Sequence, residues 1–359
     1  MTKTAPIFIH ELELPETVGG SGWDEFRAAM GIHFGNEALS YGTDEVAFTP
    51  EESLPIWLDH ENQPKRLFVA RDSERIVGAA RYETEPGDDP RTAWLMVDVL
   101  PGARRAGVGT ALSEKLQGVA ATDGIRKAIV YTVSPYGAGG RLVSPTGFGS
   151  VPRDNAEVRF LLAKGYRLEQ VARGSRLALP VDISDRLGDA VRYSRPDFAL
   201  HTWIDKTPRP WLRQMAALRQ LMSVEEPSAG LDEPEDIWTV DRLVEDEARL
   251  GASPRTRLVT AVEHVATGSL AGFTVLSVPA EPDRVVSQED TLVRREHRGH
   301  RLGMLLKLAN LAELEKRMPG HPAVITFNAE ENRHMLDVNE AVGFVPFGYE
   351  GAWRRDLPN

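Results

Sequence analysis

Two rhythms of apolar and polar positions run along this chain, and both occur twice. Strand-like apolar stretches cover residues 6–12, 65–71, 75–83, 94–100 (apolar except Asp98, as a buried strand) and 127–134. Helical spacing follows Trp23, Pro50, Thr110 and Asp154, with Phe26 and Met30 on one face, and Leu112, Leu116 and Val119 on another. Thr49-Pro50-Glu51-Glu52 joins an N-cap, a first-turn proline and early acids, a strong helix start. Asp72-Ser73-Glu74 reads as a turn, and residues 86–90 as a loop. Closing strands lie within 166–179. After a short helix at 183–193 the order begins again: a strand at 197–204, a helix at 210–222, and a helix capped by Asp232-Glu233-Pro234-Glu235 that runs to about Leu250. Strands at 257–264, 269–278 and 285–293 follow, then a helix from Leu302, a strand at 323–328, a helix at 332–342 and a closing strand at 344–354. The pattern predicts a mixed-sheet α/β (α+β) chain in which each half reads β-α-α-β-β-β-α-β-α-β-β.

The halves correspond residue by residue. Val99 answers Val293, Gly109 answers Gly303 and Gly78 answers Gly272, each 194 residues on. Leu162-Ala163-Lys164-Gly165-Tyr166 answers Ala341-Val342-Gly343-Phe344 at 178, so the first copy holds 16 more residues. Most of that insertion is the glycine-rich stretch 136–149, read as a mobile loop, with a flap over the acceptor pocket as the sharper alternative. A repeat this long means duplicated domains rather than a solenoid. The expected domains are 1–180 and 196–359, joined by a connecting segment at 181–195.

The repeated stretch with chemical meaning is the end of a strand, a tight turn and a helix start. In the first copy Val97-Asp98-Val99 leads into Arg104, Arg105, Ala106, Gly107, Val108, Gly109 and Thr110. In the second, Thr291 and Val293 lead into Arg298, Gly299, His300, Arg301, Leu302 and Gly303. A turn that opens a helix presents unpaired N–H groups and partial positive charge to phosphate oxygens. A Rossmann fingerprint is disfavoured because its third glycine falls at Leu112, and a P-loop is excluded because no Gly-Lys-Ser/Thr follows.

The Arg-x-x-Gly-x-Gly turn after a strand resembles the pyrophosphate loop of the GNAT acetyltransferase superfamily. With the element order, the resemblance covers nearly the whole chain and implies two tandem GNAT (acyl-CoA N-acyltransferase) folds, an arrangement also seen in mycothiol synthase. It implies acetyl-CoA as co-substrate, no metal, and a primary amine of a small molecule as acceptor. The turn residues above would hold the pyrophosphate. The backbone of Val97 and Val99, and of Thr291 and Val293, would hold the pantetheine and acetyl carbonyl. The family often uses an acid on or near this strand as base. Asp98 and Asp290 project from it to the same side by alternation, and Glu289 to the other. The family's tyrosine near the end of the last helix is replaced by Leu161 and Asn339. Tyr131, Tyr136 and Tyr349 remain unranked as the acid. The second copy keeps asparagines at Asn328 and Asn332, where the first has Asp154 at the helix start. That tips the expected catalytic half to the second copy, although Arg301 replaces its first loop glycine. His297 and His300 read as phosphate contacts rather than metal ligands.

Composition narrows the surroundings. The chain has 359 residues, 42% of them hydrophobic, enough for two cores. There is no cysteine, which removes disulfides and a thiol-borne acyl intermediate and fits a reducing compartment. The net charge of −11 argues against nucleic acid and is compatible with a cationic acceptor. The first 15 residues do not read as a secretory signal, and no stretch approaches the roughly 20 apolar residues of a membrane span. A cytoplasmic enzyme is expected, and a homodimer is compatible with the sequence. A non-catalytic or half-catalytic acyl-CoA-binding protein, or an acetyltransferase of protein lysines or N-termini, are the rival readings.

Overall fold

A computed structural model describes residues 7–72, 75–87, 89–194 and 196–358. Pro6, Ser73, Glu74 and Asp88, which fall in predicted elements, lie outside the described residues, as does residue 195 at the end of the expected connecting segment.

In chain order the first elements are β1 (Phe8–Leu12), α1 (Trp23–Tyr41), α2 (Pro50–Trp57), β2 (Lys65–Arg71), β3 (Ile76–Thr84), β4 (Thr92–Val99), α3 (Val108–Thr122), β5 (Lys127–Val133), β6 (Arg141–Val143), β7 (Ser150–Pro152), α4 (Ala156–Ala163) and β8 (Arg167–Ala178). They are followed by α5 (Ser184–Ser194), β9 (Phe198–Ile204), α6 (Leu212–Glu225), α7 (Val240–Leu250), β10 (Thr256–His264), β11 (Ser269–Val278), β12 (Val286–Val293), α8 (Leu302–Arg317), β13 (Ala323–Ala329), α9 (Arg333–Val342) and β14 (Val345–Asp356).

The chain divides into two compact units, but not at one cut. The first gathers 1–172, 228–234 and 348–359; the second gathers 173–227 and 235–347. The division therefore departs from the expected break at Pro180. Two segments follow tertiary packing rather than the repeat. Leu231 is fully buried beside Ile129 and Ala352, and Glu350 to Asp356 of β14 pair antiparallel with Val133 to Lys127 of β5.

Within the first unit the strands run β1-β2-β3-β4-β5-β14-β8. Pairing is antiparallel from β1 to β4, and β4 runs parallel to β5. One face carries α1 and α2 on Phe26, Met30, Leu54, Leu67, Val69 and Ala79. The other carries α3 and α4 on Val77, Leu95, Leu112, Leu116 and Val158. Thr49 caps α2 with the expected capping box, its Oγ1 accepting from Glu52 N at 3.2 Å while Glu52 Oε2 accepts from Thr49 N at 2.8 Å. Leu112 is fully buried, and cutting it to alanine would cost about 2–5 kcal/mol.

Within the second unit the order is β8-β13-β12-β11-β10-β9, with α8 across Leu258, Leu276 and Val324. The register bears out the repeat: Gly78 pairs with Val99, and Gly272 with Val293. Both glycines are needed for close approach. A Cβ on Gly78 would meet Asp98 O at 2.9 Å, and one on Gly272 would meet Leu292 O at 2.3 Å.

Three local expectations are corrected. Asp232 to Glu235 do not cap the following helix; Thr239 does, accepting from Arg242 N at 3.1 Å, because Glu233 is held elsewhere. Asp154 is not the cap of α4; the helix begins one residue later, with Asn155 at the N-cap. The 136–149 stretch is not wholly irregular, since β6 and β7 form a hairpin within and beyond it.

Candidate active site in the first unit

β4 and β5 pair over three residues only, Thr92 to Trp94 with Lys127 to Ile129. Beyond that the strands part, so the backbone of Leu95 to Val99 has no ladder partner on the β5 side. A cavity of about 320 Å³ occupies the parting. From the α1 face it is lined by His33, Asn36, Glu37, Arg81, Asp98 and Glu350. From the α3 face it is lined by Ser113, Leu116, Glu157, Phe160, Leu161 and Tyr166.

The α1 side is a network of charge. His33 Nδ1 lies 2.9 Å from Asp98 Oδ2, and Asn36 Nδ2 donates to Asp98 Oδ1 at 2.9 Å. Asp98 therefore has a partner on each oxygen. His33 Nε2 faces Glu37 at 3.6 Å. Burial works against the His33 imidazolium, but the hydrogen bond and charge of Asp98, with Glu37, outweigh it and leave its pKa raised. Burial also raises Glu37, with Asp98 adding and His33 opposing. Glu350 is pushed up to about 7, first by burial and then by the charge of Glu37, against the hydrogen bond it accepts from the Tyr41 hydroxyl. A carboxylate tuned to that range is suited to taking a proton near neutrality.

The turn beside the parting has the expected form. A 3₁₀ turn at Pro101–Ala103 leads to Arg104, then to Arg105 and Gly107 at φ 66° and 88°, and Gly107 is the N-cap of α3 without a side-chain bond. The first N–H groups of α3 are thus open to an anion. Arg104 Nε donates to Val99 O at 3.2 Å and its Nη2 to Asn36 Oδ1 at 2.8 Å, a neutral partner. Arg105, Ala106 and Thr110 are exposed, while Val108 is buried and points inward. Among the described residues Arg105 has no acidic partner. Phosphate oxygens of an acyl-CoA fit this donor set: a positive-φ glycine, bare N–H groups and uncompensated guanidinium charge.

In the second unit the same frame is differently furnished. β12 and β13 pair at Val286–Ser287 with Val324–Ile325. A register shift falls at Glu289 and Asp290, and Asp290 faces α6, the same side as Leu292, the counterpart of Asp98. Asp290 is ion-paired to Arg219, so it is not a free base. Thr291 Oγ1 is buried against Thr274 Oγ1 at 2.8 Å. The two asparagines are used internally. Asn332 caps α9, accepting from Met335 N at 3.3 Å, and Asn328 Oδ1 accepts from Asn339 Nδ2 at 2.7 Å. In the turn, Gly299 and Arg301 take the positive φ values, 84° and 56°. Arg298 Nε donates to Val293 O at 3.3 Å as Arg104 does to Val99, but its Nη2 reaches Glu225 Oε2 at 2.6 Å, and Arg295 Nε reaches Glu225 Oε1 at 2.7 Å. Burial alone would raise Glu225; the hydrogen bonds and charges of the two arginines carry it below the usual range. Arg301 stacks over Tyr193 at 4.7 Å, and His297 and His300 pack on Phe198 at 5.7 and 5.4 Å. Leu302 is buried and starts α8, with Gly303 behind it. Where the first unit has Ser113, the second has Lys307, 2% exposed, which burial lowers to about 7.

Sequence reasoning reached Asp98 and both turns. It missed His33, Glu37, Arg81 and Glu350, which α1, β3 and β14 bring to the cavity. His33 and Glu37 carry one readable signal: a polar pair spaced four apart on a helix whose other face is apolar.

A sheet parted between two parallel strands, with an arginine-flanked turn opening a helix beside the parting, occurs twice, and the fold is that of tandem GNAT proteins. Residues 36–138 match the Acetyltransferase (GNAT) family. A stretch of 114 residues, 30% of this chain, is 35% identical to phosphinothricin N-acetyltransferase of Streptomyces coelicolor and spans 66% of that enzyme, just under two thirds. Among solved structures, a tandem GNAT protein from the clavulanic acid biosynthesis pathway is 26% identical, with 99% of this chain and 100% of that chain covered at a TM-score of 0.73. A GCN5-related glucosamine N-acetyltransferase region of a fungal multi-domain β-N-acetylglucosaminidase shares the fold at 16% identity and a TM-score of 0.62, covering 99% of this chain and 38% of that one.

Proposed function

We propose that this protein transfers an acetyl group from acetyl-CoA to the primary amine of a small molecule, and that the first unit does the chemistry. The observation that carries the proposal is the cavity at the β4–β5 parting, lined by Asp98 and Glu350, on the strand that leads into a pyrophosphate-type turn. Its volume of about 320 Å³ suits a small acceptor rather than a protein segment. A cytoplasmic setting belongs to the same proposal; among the described residues no helix is long and apolar enough to cross a membrane.

Arg104, Arg105, Gly107 and the first N–H groups of α3 would hold the pyrophosphate, and the unpaired backbone of β4 would hold the pantetheine arm. Acetyl-CoA supplies the acyl group already activated as a thioester. The protein's own contribution is positional and protonic. Glu37, Asp98 and Glu350 draw an ammonium into the cavity. Glu350, ionised in part at neutral pH, accepts its proton and frees the nitrogen lone pair. Asp98, held at both oxygens, fixes the ring of His33 instead of meeting the acceptor, which changes its role from base to positioning residue. The freed nitrogen then attacks the thioester carbonyl directly, since no cysteine is present to take the acyl group. The N–C bond forms as the C–S bond breaks, and the CoA thiolate leaves and takes its proton from solvent.

The test is turnover of acetyl-CoA with a panel of small amines by the wild-type chain and Glu350→Gln. Thiol release with at least one amine, and its collapse in the variant, supports the reading. An unchanged rate in the variant removes Glu350 as the base, and no turnover with any amine removes the function.

A further inference from the structure

Arg81 is unexplained by amine acetylation alone. It stands on β3, paired between Leu67 and Met96, on the same face as Asp98 and α1. It lines the cavity. Its Nε is buried without a hydrogen-bond partner, and among the described residues the guanidinium makes no hydrogen bond at all. Its acidic neighbours are Glu83, at 3.7 Å, and Glu37, whose carboxyl pKa its charge lowers, and it hydrogen-bonds neither. A guanidinium offers five donors in a planar fork; here Nε is buried while the side chain as a whole is 33% exposed, and donors that no protein group meets beside a cavity point to an oxyanion that arrives with the ligand. Simple cationic amines would be served by the carboxylates alone and repelled by Arg81.

We propose that the acceptor is zwitterionic: a small molecule bearing, besides its amine, an oxyanion that Arg81 holds. This rests on the function proposed above and names its substrate class. The carboxylates and Arg81 line one cavity, so they sort acceptors by both charges, and an amino acid satisfies both where a bare amine satisfies one. A carboxylate and a phosphonate share this chemistry, and the experiment separates them.

The test compares acetylation of matched acceptors by the wild-type chain and by Arg81→Gln and Arg81→Lys. The panel holds free amino acids, their decarboxylated amines, their methyl esters, and aminoalkylphosphonates. The wild-type chain is expected to favour an oxyanion-bearing acceptor over its decarboxylated partner by about 100-fold in kcat/KM. Preference between carboxylate and phosphonate identifies the oxyanion. In Arg81→Gln that ratio should collapse toward one, mainly through KM, and Arg81→Lys should restore part of it. Thermal unfolding of both variants reports whether they fold, and the Lys variant keeps the charge if the Gln variant does not fold. Equal or better use of decarboxylated amines by the wild-type chain overturns the inference while leaving amine acetylation standing. Loss of kcat without loss of the ratio in the variants overturns it too. No acetylation of any member overturns both.

Discussion

In the first unit Arg104 reaches Val99 O and a neutral asparagine, Asn36; in the second, Arg298 reaches Val293 O and a carboxylate, Glu225, which also binds Arg295. The two turns share a backbone and differ in charge balance. The first presents net positive charge beside bare helix N–H groups. The second already holds an anion of its own, with Glu225 only 9% exposed. On the opposite face, Asp98 meets a histidine within an acidic cavity, while Asp290 meets Arg219 and is neutralised. Duplication has kept the frame, because the frame rests on packing and on close approaches such as Gly78 and Gly272. It has not kept the charges, because a few substitutions at exposed or half-buried positions change those without disturbing a core.

The comparison can be broken most sharply at Glu350. Glu350→Gln should lower kcat/KM by about 100- to 10,000-fold and remove the limb of the pH–rate profile with an apparent pKa near 7. Asp290→Asn should stay within a factor of about three in the same assay. Next in size, Gly107→Trp should weaken acetyl-CoA binding by about 100-fold or more, since φ 88° resists any side chain and the bulk stands on the turn. Gly303→Trp should leave donor affinity unchanged, because Glu225 already holds the arginines of the second turn; a Cβ there meets nothing within 4 Å. Circular dichroism checks that both variants fold. A smaller effect is expected from Glu225→Gln. Freeing Arg295 and Arg298 should let the second turn accept an anion, seen as a weak additional acetyl-CoA site, and absence of that site would mean that Arg301 or Lys307 also closes it. The smallest effect is on stability. Glu350 has a raised pKa when folded, so its contribution is fully present below its unfolded value and is lost as pH rises toward 7. Glu350→Gln should therefore gain stability over wild type between roughly pH 4.5 and 7, by on the order of 1 kcal/mol, and then level off. Urea unfolding at several pH values measures it.

Much of the fold could be read from the chain because its determinants are local. Alternation, helical spacing, the Thr49 capping box and the repeated glycines each act within a few residues. The turns were legible for the same reason. The cavity was not. Glu350 reaches the first unit because Glu350 to Asp356 pair with β5, a tertiary choice that no local period records. The same holds for Glu233, which reads as part of a helix cap but accepts from Trp94 Nε1 at 2.8 Å and the Tyr131 hydroxyl at 3.0 Å. Asn328 and Asn332 misled because residue identity does not reveal whether a side chain is already engaged. For Asp290 the alternation gave the face, but nothing local records that Arg219 already holds its carboxylate.

The central claim is that one unit receives the donor and the other carries its own anion in the donor's place. Calorimetric titration of the whole chain with acetyl-CoA tests it directly. The account predicts one site per chain, lost in Gly107→Trp and retained in Gly303→Trp. Two sites of similar affinity in the wild-type chain would contradict it, because Glu225 would then not close the second turn.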